Sequence, residues 1–96
     1  MPLSGKQNRY LRGRAHNLRP VVMIGNAGLT QGVIDETHRA LHDHELIKVR
    51  VSAEDRESRK AMAETLCTET DAEFVQLIGH VAVLYRPGEP PIIQLP

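Results

Sequence analysis

Helical and extended patterns alternate along this chain, and their order limits the folds that it can adopt. Ser4 and Gln7 have the spacing of a capping box, and a helix is expected over Gly5–His16. The run Val21–Ile24 is short, wholly apolar and bounded by proline and glycine, as in a strand that is buried on both sides.

The alternation continues to the end of the chain. The further predicted elements are the helices Thr30–His44 and Asp55–Thr70 and the strands Leu46–Ser52, Phe74–Ile78 and Val81–Arg86. In the first of these strands apolar residues alternate with Lys48 and Arg50, so one face is basic. Gly79-His80 predicts a type II′ hairpin. The prolines in residues 87–96 favour an irregular tail or a short edge strand.

The order α-β-α-β-α-β-β predicts an α/β chain of the two-layer α+β type, with three helices and a mixed four-stranded sheet. Two strand–helix–strand crossovers are expected to give parallel pairing, and the hairpin an antiparallel pair. Residues 1–96 are too few for two cores, so we expect a single domain. Cys67 falls on the apolar stripe of the third helix. As the single cysteine it excludes an internal disulfide and suits a reducing compartment, so we expect a cytoplasmic location. No apolar run reaches the length of about 20 residues that a membrane span needs, so we expect no membrane contact. We also expect a monomer.

Charge is distributed unevenly along the chain. The 12 bases and 12 acids cancel, but residues 1–34 contain five bases and no acid. Residues 35–74 contain eleven acids and six bases. Such asymmetry says more about partners than the total charge does, and the basic first third predicts a surface for a polyanion.

A Gly-x-x-Gly loop lies between the first predicted strand and the second predicted helix. Because glycine has no Cβ, Gly25 and Gly28 can adopt left-handed angles and let another backbone approach closely. The N–H groups of the following helix favour an anion, and the geometry suits a sugar-phosphate chain. Asn26 and Ala27 are neutral, so positive charge must come from elsewhere. The alternative is an ordinary strand-to-helix turn.

The first helix can supply that charge. Its bases are Lys6, Arg9, Arg12 and Arg14. Arg19 follows at the start of the first strand. Each basic side chain that meets a phosphate releases counterions, which gives affinity that does not depend on the nucleotide sequence. Tyr10, within the basic face, can stack on a base, and Tyr85 is a weaker candidate; packing against a neighbouring element is the alternative for both.

An enzymatic interpretation depends on Asp35, His38 and His42, which have the helical spacing of metal ligands. Helical geometry directs Asp35 and His42 to solvent, where a metal would lack ordered outer partners. We therefore expect no catalytic residue, metal, cofactor or small-molecule substrate, and a small metal-dependent hydrolase is the weaker alternative. The other alternative is an adaptor protein that docks its basic segment on an acidic protein.

Four segments in order resemble the CRM (chloroplast RNA splicing and ribosome maturation) domain family, and most of all its single-domain bacterial members of the YhbY type. They are L-S-G-K-Q, R-P-V-V-M-I-G-N-A-G-L-T-Q-G-V-I, H-E-L-I-K-V-R-V and Q-L-I-G-H-V-A-V-L-Y-R-P. The resemblance covers residues 2–95. It implies an RNA-binding domain similar in fold to the C-terminal domain of translation initiation factor three. It also implies an association with precursors of the large ribosomal subunit.

By position, the resemblance makes Gly25-Asn26-Ala27-Gly28 the RNA-contacting loop. The basic surface that it implies includes Lys6, Arg9, Arg12, Arg19, Lys48 and Arg50. The tail carries less positive charge than we expect of some relatives. Our interpretation is a non-enzymatic RNA-binding protein that assists assembly of the large ribosomal subunit and contacts rRNA through phosphates. With three aromatic residues, extensive base stacking is not expected.

Overall fold

A computed structural model describes residues 2–96, and its seven elements follow the predicted order. Each predicted boundary lies within one residue of the observed one. The elements are α1 (Gly5–Ala15), β1 (Pro20–Ile24), α2 (Gln31–His44), β2 (Leu46–Val51), α3 (Arg56–Thr70), β3 (Glu73–Ile78) and β4 (Val81–Tyr85).

The helices begin at the residues whose side chains can cap them. Ser4 and Gln7 form both hydrogen bonds of the predicted capping box, each 3.1 Å long. The Thr30 hydroxyl accepts from the N–H of Val33 at 3.2 Å, and an Asp55 carboxylate oxygen caps α3 in the same way at 2.9 Å. Such caps are each worth about 1 kcal/mol, which explains why the helix starts could be read from the sequence.

The sheet is mixed and has the strand order β1-β2-β4-β3. β1 and β2 are parallel, as predicted, and β4 is antiparallel to both of its neighbours. The second crossover, through α3, was expected to make β2 and β3 parallel neighbours, and this expectation is wrong. β4 turns back at the hairpin and lies between β2 and β3, so these two strands are not paired with each other. Gly79, with φ of 56°, opens that hairpin, as a type II′ turn requires.

β1 is an edge strand, so the prediction that both of its faces are buried is wrong. Val22 and Ile24 are buried, whereas Val21 is 46% exposed and Met23 is 60% exposed. The run Val21–Ile24 is uniformly apolar, but only alternate residues reach the core, because the opposite face near Met23 is not covered by a helix.

Helices cover both faces of the sheet, although unequally. The core beneath α2 and α3 includes Ile24, Leu41, Val49, Leu66 and Leu84. The smaller core beneath α1 and the C-terminal tail includes Leu11, Ala15, Val83, Tyr85 and Ile93. This partial third layer extends the expected two-layer arrangement, and it leaves one end of the second face open to solvent.

The C-terminal tail, residues 87–96, is irregular, and a buried carboxylate holds it against the sheet. Glu45 is 0% exposed and accepts hydrogen bonds from the N–H groups of Gly88 and Ile92, both at 2.7 Å, and of Ile93 at 2.8 Å. Glu45 itself has φ of 65° at the junction between α2 and β2. In the sequence Glu45 is one acid among many, because nothing local marks a carboxylate whose partners lie more than forty residues away.

Candidate nucleic-acid interface

The Gly25–Gly28 loop is a tight turn that begins directly after β1. The N–H of Gly28 donates to the carbonyl oxygen of Gly25 at 3.0 Å and closes the turn. Gly28 has φ of 76°, in the left-handed region that favours glycine. Gly25 is not in that region. The two glycines therefore differ, because the backbone conformation of the turn requires only the second one.

Both glycines face open space. A Cβ added at Gly25 or Gly28 would have no heavy atom within 4 Å. Asn26 and Ala27 are exposed, and their N–H groups donate no hydrogen bond among residues 2–96. The turn can thus be approached closely by another backbone, and the two N–H groups have no acceptor within the described residues.

The start of α2 adds a favourable field for an anion. Thr30 caps this helix, and its first turn contains no acidic residue. The N–H groups at the start of a helix carry a partial positive charge, which the helix dipole reinforces. The loop and this helix start together provide donors and positive potential without any charged side chain.

Hydrogen bonds between neighbouring strand ends hold the loop in place. The N–H of Ser52 donates to the Ile24 carbonyl at 3.0 Å, and that of Val51 donates to the His80 carbonyl at 2.7 Å. Arg59 bridges the same end of the sheet through bonds to the carbonyls of Gly79, Ala53 and Glu54.

The sequence pattern does not single out Arg59, because an arginine that bonds to the fold and one that faces solvent look the same in a helix of mixed charge. The one sequence signal for the bridging role of Arg59 is that this residue lies one turn into α3, close to the junction that follows β2.

Lys48 and Arg50 point away from the core beneath α2 and α3, as their alternation with buried residues predicts. Strand register places Arg50 between Met23 on β1 and Val81 on β4, and Val81 is paired in turn with Ile78 on β3. Four strands thus contribute to one row. One step further from the loop, Lys48 lies between Pro20 and Val83, which faces Gln76.

We refer to the uncovered part of this surface as the open face. It consists of Pro20, Met23, Lys48, Arg50, Gln76, Ile78 and Val81. It includes two cations and no acid. The glycine loop borders one end, and α1 borders the other about 16 Å away, the length of the five residues of β1.

The basic side chains of α1 point in different directions, and only some of them lie beside the open face. Arg12 lines a groove of about 460 Å³ together with Lys48. Lys6 and Arg9 are exposed on the side of the helix that faces away from Leu11. Lys48 also donates from Nζ to the His16 carbonyl at 3.4 Å, so this lysine supports the end of α1 as well.

The other side of α1 borders a second groove, of about 350 Å³, which Arg14 and Arg19 line with apolar residues and His44. Tyr10 is 36% exposed on this side, and its hydroxyl accepts from the Arg14 guanidinium at 3.4 Å. The guanidinium carbon lies 5.9 Å from the centre of the tyrosine ring. The structure therefore places Arg19 and Tyr10 apart from the open face.

Tyr85 is 2% exposed and packs in the core beneath α1, so its candidacy as a stacking residue is wrong. Its neighbour Arg86 is also engaged in the fold. The Arg86 guanidinium donates to the carbonyls of Thr70 at 2.8 Å and His38 at 3.2 Å.

Two of the three side chains of the metal-site alternative have other partners. Asp35 accepts from the Gln31 amide at 2.8 Å, and the His38 Nδ1 lies 3.0 Å from the Arg86 guanidinium. Within residues 2–96, no group of three His, Cys, Asp or Glu side chains is arranged to hold a metal ion. Burial raises the pKa of the Cys67 thiol to about 12, so the thiol stays protonated at neutral pH.

No helix in the described part of the chain is both long enough and apolar enough to cross a membrane.

Residues 3–86 match the model of the CRS1/YhbY (CRM) domain. A Haemophilus influenzae protein named "RNA-binding protein" is 53% identical over 94 residues, which are 98% of this chain and 95% of that protein. A Bacillus subtilis protein named "probable RNA-binding protein" is 39% identical over 84 residues, which are 88% of each chain.

A solved structure has the same fold. The solution structure of a hypothetical protein from Staphylococcus aureus, described as an RNA-binding candidate, superposes with a TM-score of 0.87. The two sequences are 43% identical, and the match covers 99% of this chain and all of the other. The predicted fold class is therefore confirmed both by the element order and by an independent structure.

Proposed function

The chain belongs to the CRS1/YhbY (CRM) domain family, and from this premise we propose that it binds RNA through the glycine loop and the open face. The relatives named as RNA-binding proteins match nearly the whole chain, which supports a binding surface within the matched residues. The observation that carries the proposal is the continuity of the exposed loop donors with two cations on an acid-free sheet surface.

The geometry favours contact with the sugar-phosphate backbone. A phosphate at the loop would accept hydrogen bonds from the N–H groups of Asn26 and Ala27 in the field of α2. Arg50, Lys48 and Arg12 follow along the open face towards α1, so an extended polyanion could meet several cations in sequence. Binding of this kind gives affinity without reading bases, and no proton transfer or bond cleavage is needed.

We propose Lys6 and Arg9 as outer contacts. They face solvent on α1, where a folded RNA that reaches beyond the sheet would meet them. Arg19 and Tyr10 lie on the other side of this helix and would contact such an RNA only if it wraps around α1.

For the target we propose the RNA of precursor large ribosomal subunits, with a role in their assembly in the cytoplasm. This finer assignment is what the resemblance to single-domain bacterial CRM proteins implies. Crosslinking in cells, followed by sequencing of the attached RNA, tests it. Reads concentrated in one region of large-subunit precursor RNA are expected. Reads spread over unrelated transcripts would overturn the assignment.

A loop variant tests the RNA contact itself. Gly25→Asp adds a negative charge to the loop at a residue that is not left-handed, so it leaves the turn unstrained. We expect RNA affinity to fall about tenfold, a change of about 1.4 kcal/mol. Gly25→Asn, the neutral control of equal size, should lose much less. Equal affinity of the two variants, measured by filter binding, would contradict a phosphate at the loop.

Nuclease treatment separates RNA binding from the adaptor alternative. If the protein joins ribosomal precursors through RNA, digestion should release it from them. A complex that survives complete RNA digestion would instead favour docking of the basic segment on an acidic protein.

A further inference from the structure

The open face exposes more apolar surface than phosphate binding uses. Met23 is 60% exposed and Ile78 is 63% exposed, and both lie in the row that Arg50 and Val81 complete. Large aliphatic side chains scattered singly over a surface need no explanation, but here three strands bring Met23, Val81 and Ile78 into one row, with Arg50 of β2 between the first two. The row is about 14 Å long, three strand spacings.

The surface is also concave. Beside the groove of about 460 Å³ next to α1 lies a second one of about 210 Å³, and the two share Lys48, Ile78 and Val83. The aliphatic lining of these grooves thus adjoins Lys48 on the side of α1. Strand pairing places Arg50 beside Val81, in the row nearer the glycine loop.

Charge decides which occupant fits this surface. An apolar peptide laid along the row would bury the Arg50 guanidinium without a partner, which is costly. An RNA strand supplies a phosphate for Arg50 and a flat apolar ring face for Met23 and Ile78. A guanidinium also stacks on planar rings, and the methionine thioether adapts to their shape.

We propose that the open face binds unpaired nucleotides, whose bases lie on Met23, Ile78 and Arg50 while their backbone passes the glycine loop. This inference deepens the proposed function and depends on it. Bases in a duplex are stacked on one another and cannot lie on the sheet, so the face selects single-stranded or looped RNA over duplex RNA. The contact involves only one or two bases, because the chain has few aromatic residues on which further bases could stack.

The double variant Met23→Thr/Ile78→Thr tests the proposal. Both residues are exposed and threonine favours strands, so the sheet should persist, as thermal unfolding will verify. The probes are an unstructured 12-nucleotide RNA and a blunt duplex RNA of the same length. We expect the native chain to prefer the single strand about tenfold, and the double variant to lose that preference while duplex affinity and salt dependence stay unchanged.

Ile92→Thr serves as the matched control, because Ile92 is 72% exposed but lies in the tail, away from the open face. It should bind both probes as the native chain does. If the double variant unfolds, Ile78→Thr alone takes its place, with an expected loss of about threefold on the single strand.

The outcomes separate the two proposals. Unchanged single-strand affinity in the double variant, or equal affinity of the native chain for both probes, would overturn the inference and leave RNA binding standing. Failure of the native chain to bind either probe would overturn the proposed function and the inference with it. If the double variant binds RNA normally but loses a nuclease-resistant protein complex, the row is a protein-docking site and the inference is wrong.

Discussion

At the scale of single residues, Gly25 and Gly28 illustrate how one motif combines two physical roles. Gly28 has φ of 76°, and an L side chain at this angle is strained wherever it points. Gly25 has no such strain, and its missing side chain serves only to leave the surface of the turn open. The free energy of unfolding can separate the two roles, because substitution by alanine should lower it only at the position where the backbone is left-handed.

Gly28→Ala should therefore lower the free energy of unfolding by about 1 kcal/mol, whereas Gly25→Ala should leave it unchanged or slightly higher. For a chain of this size, a loss of 1 kcal/mol lowers Tm by roughly 4–8 °C. Thermal unfolding followed by circular dichroism measures both variants. Equal Tm values for the two would contradict the left-handed conformation at Gly28.

Glu45 shows a residue-scale feature with consequences for the whole tail. Burial by itself raises the pKa of this carboxyl, and the three backbone N–H donors outweigh that effect, so the pKa lies below its usual value. A carboxyl with a lowered pKa in the folded state stabilises the protein above its unfolded pKa of about 4.3. That stabilisation is lost as the pH falls through the folded pKa.

Glu45→Gln should lower the free energy of unfolding at pH 7 by about 2–3 kcal/mol, because the amide NH₂ cannot accept the bonds that the carboxylate oxygens accept. The difference in Tm from the native chain should begin to shrink as the pH falls below about 4.3, the unfolded pKa of the carboxyl, because its folded pKa lies lower. Glu89→Gln, in the exposed part of the tail, is the control and should change little. A Tm difference that stays constant or grows as the pH is lowered would contradict stabilisation by the Glu45 carboxylate.

At the scale of elements, capping residues and turn glycines made the boundaries predictable, since each acts through neighbours within three or four residues. The same local patterns could not place β4 between β2 and β3, because strand order depends on pairing between distant segments. They also could not show that Met23 is exposed, since an apolar residue on an edge strand looks like a core residue in sequence.

The candidate site was predictable to the same degree. The loop Gly25–Gly28 and the basic row of β2 follow from local patterns, and the structure brings them to one surface. The bases of α1 could not be assigned in this way, because only packing against the sheet decides that Arg12 borders the open face while Arg14 does not. The roles of Arg59 and Glu45 depend on distant backbone groups and have no local signature.

The contribution of β2 can be measured through salt dependence. About four phosphate contacts predict a slope near −3 for the logarithm of the association constant against the logarithm of salt concentration. Arg50→Gln should make that slope shallower by about 0.7, the loss of one phosphate contact to a single strand. Arg39→Gln, on the exposed surface of α2, is the matched control and should leave the slope unchanged. A flat dependence for the native chain would contradict phosphate contact altogether.

At the scale of the whole molecule, the total charge is zero, but the positive and negative charges lie in different parts of the chain. The first 34 residues supply five bases without an acid, and they contain α1, β1 and the glycine loop. The acids lie mainly in residues 35–74, which include α2 and α3 on the other side of the sheet. Under the proposed function, this separation would attract a polyanion to one side of the sheet and repel it from the other.

The most direct test of this account is the amide NMR spectrum of the protein titrated with single-stranded RNA. We predict shifts that are largest at residues 23–28, 48–50 and 78–81, which lie in or beside the glycine loop and the open face, with smaller shifts at α1. Shifts confined to the outer surfaces of α2 and α3, or no shifts at saturating RNA, would contradict it.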